Sequence, residues 1–127
     1  MNMGKVVFGF FVLLALTLNF GFFLGDIDNP AHHNVYELFA ALVVGLIATV
    51  LKFGERSQIG AVLLASSLVV DLQLIAAAII WSVASHMTEA GLTPAVMASI
   101  VSLSGGALLA NLLSVVLLTL DTAGLSR

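Results

Sequence analysis

The sequence has 127 residues, of which 61% are hydrophobic and 9% are charged, with a net charge of −3 at pH 7. Soluble domains carry about 25% charged residues, so this composition excludes an ordinary soluble domain and indicates an integral membrane protein. The absence of cysteine excludes disulfide frameworks and sites built on thiolates. The small negative net charge gives no reason to expect nucleic acid as a partner.

Four apolar segments follow one another, and each is long enough to cross a lipid bilayer as a helix. A hydrocarbon core of about 30 Å takes roughly 20 helical residues. No polar segment is long enough to fold as a separate domain, so residues 1–127 are predicted to form one all-α membrane domain, an antiparallel bundle of four transmembrane helices. The predicted spans cover residues 6–24, 35–53, 59–85 and 95–120.

The first span carries a single amide deep within it, Asn19. A polar side chain at this depth must face protein or water, so we expect Asn19 to point into the bundle. Gly25 follows the span at the place where a left-handed residue ends many helices. The loop after it is acidic and rich in histidine, and its titratable residues are Asp26, Asp28, His32 and His33.

The loop histidines suggest a metal site, but their spacing does not favour one. Adjacent residues point apart in a helix or strand, so His32 and His33 would need His86 or Glu89 to complete a zinc or nickel site. We therefore predict no metal and no other cofactor. The acidic loop residues are interpreted instead as an external mouth that concentrates cations. They are Asp26, Asp28, Glu37 and Glu89.

The second span begins with a capping signal and continues with a row of small residues. Asn34 precedes the span, and Glu37 three residues later resembles a capping box. Ala41, Gly45 and Thr49 recur every four residues, a spacing that lets helix backbones approach closely in membranes. This row is therefore predicted to be a packing face. The end of the span is predicted at Gly54.

The third span contains the most informative residue of the sequence, Asp71, which has no other ionisable residue near it between positions 59 and 85. A carboxylate at the centre of a membrane helix costs about 2.5–3.5 kcal/mol on insertion scales, so it usually has a function or a partner. Ser57 is a capping residue for this span, and Gln73 lies almost opposite Asp71. One face of the helix is small and polar, and it contains Gly60, Ser67, Asp71, Ala78, Ser82 and Ser85.

The fourth span starts with Thr93 and Pro94, which together are a helix-start signal. Every fourth residue of a long row in this span is small, which indicates a face for helix packing. Asn111 is interpreted as an interhelical hydrogen-bonding group, and the pair Gly105 and Gly106 is compatible with a bend or an unwound segment. The packing row consists of Ala98, Ser102, Gly106, Ala110 and Ser114.

Every basic residue falls on one side of a four-span arrangement. The positive-inside rule makes this side cytoplasmic and places both termini there. The sequence therefore predicts a multi-pass protein of the cell (inner) membrane, with the acidic loops outside. At 1.5 Å per residue, Asn19 and Asp71 both lie roughly 20 Å from the cytoplasmic side. The basic residues are Lys5, Lys52, Arg56 and Arg127.

Two functions are compatible with this pattern. In the first, which we favour, a homo-oligomer forms a cation or proton pathway, either a channel or a coupled carrier, with Asp71 at mid-membrane. In the second, the protein is an accessory or scaffold subunit that pairs with itself or with a larger membrane complex, and Asp71 is a protonated carboxyl hydrogen-bonded to Asn19, Asn111 or its own copy. No nucleophilic triad, phosphate loop or zinc-protease motif points to an enzyme. The candidate site residues are Asp71, Asn19, Asn111, Gln73 and Ser67.

Overall fold

The computed structural model describes residues 3–53 and 57–124, which form four long helices and one short 3-10 turn at Pro30–His32. All four long helices have the length and apolar composition needed to span a membrane, which confirms the predicted all-α class with four helices of membrane-spanning length. The largest difference from the predicted bounds is at the first helix, which was predicted to begin at residue 6 and begins at Met3. The helices are α1 (Met3–Phe23), α2 (Val35–Lys52), α3 (Gln58–Met87) and α4 (Pro94–Thr122).

Side chains cap three helix starts, as the sequence predicts. Asn34, Ser57 and Thr93 each accept a hydrogen bond, at 2.8, 3.0 and 3.2 Å, from a backbone N–H of the helix that follows. Each bond satisfies one of the donors that the first turn of a helix leaves without a partner. Gly25 has a φ of +103°, the left-handed conformation expected after α1. Gly54 lies outside the described residues.

The helices close into a ring, because each packs against its neighbour in sequence and α1 also packs against α4. Two separate apolar clusters fill the interior. The small apolar cluster consists of Phe8, Val12, Ala48 and Leu63. The large apolar cluster consists of Phe22, Leu38, Ala41, Val70, Leu74, Ala77, Ala78, Met97, Ile100, Val101 and Ala107.

Most of the buried polar side chains of the described residues lie on the four long helices. We call this group the polar layer. Its members are Asn19, Thr49, Ser66, Ser67, Asp71, Ser104, Asn111 and Ser114. The exterior has the opposite character, since Val50, Leu72 and Leu109 are each about 70% exposed. Polar groups inside and large apolar side chains outside form the distribution that a lipid environment favours.

Candidate functional site in the bundle interior

Asp71 lies on the buried face of α3 and only 5% of it is exposed. Its two carboxyl oxygens have different surroundings. Oδ2 lies 2.5 Å from the hydroxyl oxygen of Thr49 on α2, and that hydroxyl also lies 2.9 Å from the carbonyl oxygen of Gly45. Oδ1 is buried and has no hydrogen-bond partner among the described residues. One oxygen therefore joins α3 to α2, and the other is open to a further interaction.

Gly45 allows the carboxyl group to approach α2. A Cβ atom at position 45 would lie 3.0 Å from Asp71 Oδ1, which is tighter than most real Cβ contacts. Thr49 follows Gly45 by four residues, so both present the same face of α2 to the carboxyl group. The glycine provides the space and the threonine provides the hydroxyl.

A cavity of about 10 Å³ lies where the four helices meet. This volume is at the lower limit of what one water molecule requires. The polar part of its lining comes from Ser67, Asn111 and Ser114. Gly45, against which Asp71 Oδ1 lies, also lines the cavity. Its apolar walls are Val12, Ala15, Ala48 and Val70.

Asn19 is fully buried, but its partners are on α4 and not on α3. In the amide orientation that matches donors to acceptors, Nδ2 donates to the Ser104 carbonyl oxygen, and Oδ1 accepts from Leu108 N and Asn111 Nδ2, all at 3.0 Å. Asp71 therefore bonds Thr49, and the hydrogen bond to Asn19 or Asn111 that the scaffold hypothesis expects is not formed. A depth counted along a helix gives the height of a residue, but it does not give the helix that the side chain faces.

Two polar side chains of α3, Ser66 and Gln73, pack against α4. The hydroxyl oxygens of Ser66 and Ser114 lie 2.6 Å apart. The Gln73 side chain lies over Gly106, where an added Cβ would come within 2.7 Å of the amide. Gln73 Oε1 is buried and has no hydrogen-bond partner within the described part of the chain. Gln73 thus lies at the α3–α4 interface, a contact that the sequence analysis did not predict.

The small-residue row of α4 does not stay on the packed face along its whole length. Ser114 is buried, whereas Ala98, Gly106 and Ala110 are half-buried and Ser102 is exposed. Residues four apart turn by about 400° in a helix with 3.6 residues per turn, so a row of this kind drifts by roughly 40° at each step. The helix is continuous through Gly106 and is not unwound there.

The proposed acidic mouth is only partly exposed. Asp26, Asp28 and Glu89 are exposed, whereas the Glu37 carboxylate packs against Gly21 of α1. The capping-box prediction for Glu37 is met only in part, since the Asn34 cap is present and the Glu37 side chain turns toward α1.

The loop histidines have individual structural roles. His33 is buried, and its Nδ1 and Nε2 atoms lie 2.6 and 2.7 Å from the carbonyl oxygens of Phe22 and Asp26. His32 Nδ1 accepts a hydrogen bond from the backbone N–H of Asp26 at 2.9 Å, whereas His86 is exposed on α3. His32 and His33 thus fold the α1–α2 loop back onto the end of α1.

Sequence reasoning assigned Gly45 and Thr49 to a packing face and missed their contact with Asp71. The four-residue spacing of these two residues was the only signal. It predicts that both face the bundle, but it does not identify the residue on the facing helix. Ser66 and Ser104 were also missed, because an isolated serine is common in membrane helices and carries little positional information.

Comparison with known proteins gives one match. No curated protein and no solved structure matches the chain significantly. A protein family described as a family of unknown function, DUF6394, matches residues 32–122. This segment contains α2, α3 and α4 with Asp71 and Thr49, and it leaves α1 with Asn19 outside. Because the match extends over more than half of the sequence, the chain belongs to the DUF6394 family.

Proposed function

We propose that this protein is a multi-pass protein of the cell (inner) membrane that carries protons or small cations through its polar layer, with Asp71 as the ion-binding group. The main support is the buried Oδ1 atom of Asp71, which has no hydrogen-bond partner among the described residues and lies beside Gly45, a residue that lines the central cavity. More than about 90% of buried polar groups in proteins are hydrogen-bonded, and exceptions call for an ion, a water molecule or a functional role. An acid that served only to join two helices would have no need of an open oxygen.

We propose an antiparallel arrangement with both termini in the cytoplasm. Lys52 Nζ lies 4.6 Å from the ring centroid of Phe8, so the end of α2 lies beside the beginning of α1. The Phe22 and Trp81 rings are 6.0 Å apart, which brings the end of α1 beside the end of α3. Lys5 and Lys52 then mark the cytoplasmic end. Arg56 and Arg127, which support the same orientation in the sequence, lie outside the described residues.

The closure of the interior favours a coupled carrier over a permanently open channel. The small apolar cluster separates the cavity from the end that carries Lys52, and the large apolar cluster lies on the other side. An ion that enters from either end of the described bundle meets one of these clusters before it reaches the cavity. Carriers that expose a central site alternately to the two sides work in this way.

The homo-oligomer remains part of the proposal, but the site does not depend on it. Asp71, Thr49 and the cavity lie within one chain. Exposed Ser102 and half-buried Ala98 on α4 offer small residues to a second copy.

The scaffold function is the second candidate, and two contacts favour it. The Asn19–Asn111 amide pair and the Ser66–Ser114 hydroxyl pair are interhelical hydrogen bonds that fix helix pairing. A protein built only to hold a partner in a membrane would need such bonds and no ion site.

Flux measurement in liposomes tests the transport proposal. Purified protein is reconstituted with a trapped pH-sensitive dye, and proton entry is followed after a membrane potential is imposed. We expect wild type to raise proton flux above protein-free vesicles and Asp71→Asn, which keeps the volume of the side chain, to abolish it. Ser99→Ala is the control, because Ser99 is exposed on α4, lies outside the polar layer, and its hydroxyl donates to the Ala95 carbonyl oxygen of its own helix.

The outcomes separate the two functions. Proton or cation flux that needs Asp71 and survives Ser99→Ala supports the pathway. Correctly folded wild type without flux of any ion overturns it. If Asp71→Asn instead changes oligomer size or the capture of a partner, the scaffold function takes its place.

A further inference from the structure

We infer that the ion bound by Asp71 is the proton, exchanged with one water molecule in the central cavity, and that Na⁺ and K⁺ are excluded. This inference rests on the proposed function and names its substrate. Nothing in the sequence distinguishes a proton site from a metal-cation site, since both use a carboxylate. The geometry around Asp71 does make this distinction.

The first argument counts hydrogens. The Thr49 hydroxyl carries one hydrogen, yet it lies within hydrogen-bond distance of two oxygens, Asp71 Oδ2 and Gly45 O. If Asp71 is charged, the single hydroxyl hydrogen of Thr49 can point at only one of these two oxygens, and the other contact has no hydrogen between its oxygen atoms. If Asp71 carries a proton on Oδ2, the acid donates to Thr49 and Thr49 donates to Gly45 O. The observed arrangement is therefore complete for the neutral acid, the product of proton binding.

The second argument concerns the ligands that a metal cation needs. A cation without its water shell requires about six oxygen ligands when it is bound tightly by protein. Here the cavity is about 10 Å³ and half of its lining is apolar. Its polar groups are already committed to protein partners, since Ser114 bonds Ser66 and Asn111 bonds Asn19. A metal ion would have to break these bonds, whereas a proton needs one oxygen.

The third argument concerns the route to Asp71 Oδ1. One water molecule in the cavity would have Ser67, Asn111 and Ser114 around it. Gly45 also lines the cavity and lies beside Asp71 Oδ1, and as a glycine it places no side chain between them. Such a water needs two to four polar partners. The Ser114 hydroxyl and the Asn111 amide each keep one further hydrogen-bonding site beside their bonds to Ser66 and Asn19, which is enough for one water molecule and too few for the ligand set of a metal ion. In the binding step, an O–H bond of a hydronium ion breaks, an O–H bond forms on Asp71 Oδ1, and the hydronium leaves as water. A half-turn of the carboxyl group about its Cβ–Cγ bond then brings the protonated oxygen to Thr49. The release step is the reverse.

Ion replacement in the reconstituted protein tests the inference. We expect the proton flux to be unchanged when all Na⁺ and K⁺ are replaced by N-methylglucamine, and uptake of radioactive Na⁺ or Rb⁺ to stay at the level of protein-free vesicles. Thr49→Val removes the hydroxyl at nearly constant volume and should lower proton flux about tenfold, the effect of losing one hydrogen bond to the carboxyl group. Thr49→Ser, which keeps the hydroxyl, should restore most of it.

Infrared spectroscopy provides a readout independent of transport. We expect wild type to show the carbonyl stretch of a protonated carboxylic acid that responds to pH and is missing in Asp71→Asn, and Na⁺ to have no effect on this band. Uptake of Na⁺ or Rb⁺ that depends on Asp71 would overturn the proton assignment and leave the pathway intact. If folded wild type showed no flux of any ion, the proposed function itself would be overturned. A proton flux that is unchanged in Thr49→Val would also contradict the inference.

Discussion

Position 45 decides whether the carboxyl of Asp71 can reach α2. Replacing glycine by alanine inside a helix usually stabilises a protein by about 0.5–1 kcal/mol. In Gly45→Ala, the new methyl group would lie 3.0 Å from Asp71 Oδ1 and would intrude on the cavity. We expect this variant to lose the usual gain in stability and to lower proton flux about tenfold, as measured by unfolding in detergent and by the liposome assay.

Gly9→Ala is the matched control, because the added Cβ would lie 3.6 Å from Leu118, an ordinary van der Waals distance. It should show the usual gain in stability and unchanged flux. If Gly45→Ala behaved in the same way as Gly9→Ala, the contact between Gly45 and Asp71 would have no functional importance.

The importance of Asp71 was predictable from sequence, whereas its partner was not. An isolated carboxylate in an apolar run is conspicuous, because its insertion into a membrane is costly. The choice between Thr49 and Asn19 depends on the rotation of each helix about its axis. This rotation is set by packing among all four helices, and no pattern within one helix encodes it.

Among the helices, α1 and α4 are joined by the amide of Asn19. It contacts the carbonyl of Ser104 and the N–H of Leu108, the two groups that the regular i→i−4 ladder of α4 would join to each other. The loss of this amide therefore leaves α4 able to satisfy its own backbone, and the group left without a partner is the side chain of Asn111.

A double-mutant cycle measures this contact. We expect Asn19→Leu and Asn111→Leu each to lower the free energy of unfolding, and the double variant to lose less than the sum. The coupling energy should be about 0.6–1.7 kcal/mol, the range for interhelical hydrogen bonds in membranes. Reversible unfolding in mixed micelles is the measurement.

Thr17→Val provides the control for the cycle, because Thr17 is exposed on α1 and its hydroxyl donates to Leu14 of the same helix. Its coupling to Asn111→Leu should be close to zero. Equal coupling for Thr17 and Asn19 would show that the α1–α4 contact does not depend on the amide pair.

The bounds of the helices were easier to predict than the faces that they bury. Capping residues and apolar length fix where a helix starts and stops, and Asn34, Ser57 and Thr93 cap helices as predicted. The packed face of α4 was harder to identify, because a row of small residues four apart passes from buried Ser114 to exposed Ser102. The buried residues of α4 instead include Met97, Val101, Ser104, Ala107 and Asn111.

At the scale of the whole molecule, the contact between Asp71 and Thr49 lies close to the end of α2. Thr49 is within one turn of Lys52, the last residue of α2. Among the described residues, the small apolar cluster lies between the cavity and that end, whereas the large apolar cluster lies on the other side of the cavity. The shorter route to Asp71 therefore starts at the end that carries Lys52.

The side of the membrane that this end faces determines the side from which the shorter route to Asp71 starts. Single introduced cysteines can establish this orientation. The chain has no native cysteine, so a membrane-impermeant maleimide will label only the introduced one. Asp28, Glu89 and Thr122 are all exposed. With basic residues inside, we expect Asp28→Cys and Glu89→Cys to react in intact cells and Thr122→Cys to react only after permeabilisation. The reverse pattern would keep the bundle and the site but would move the acidic loops to the cytoplasm, so the short route to Asp71 would open to the outside.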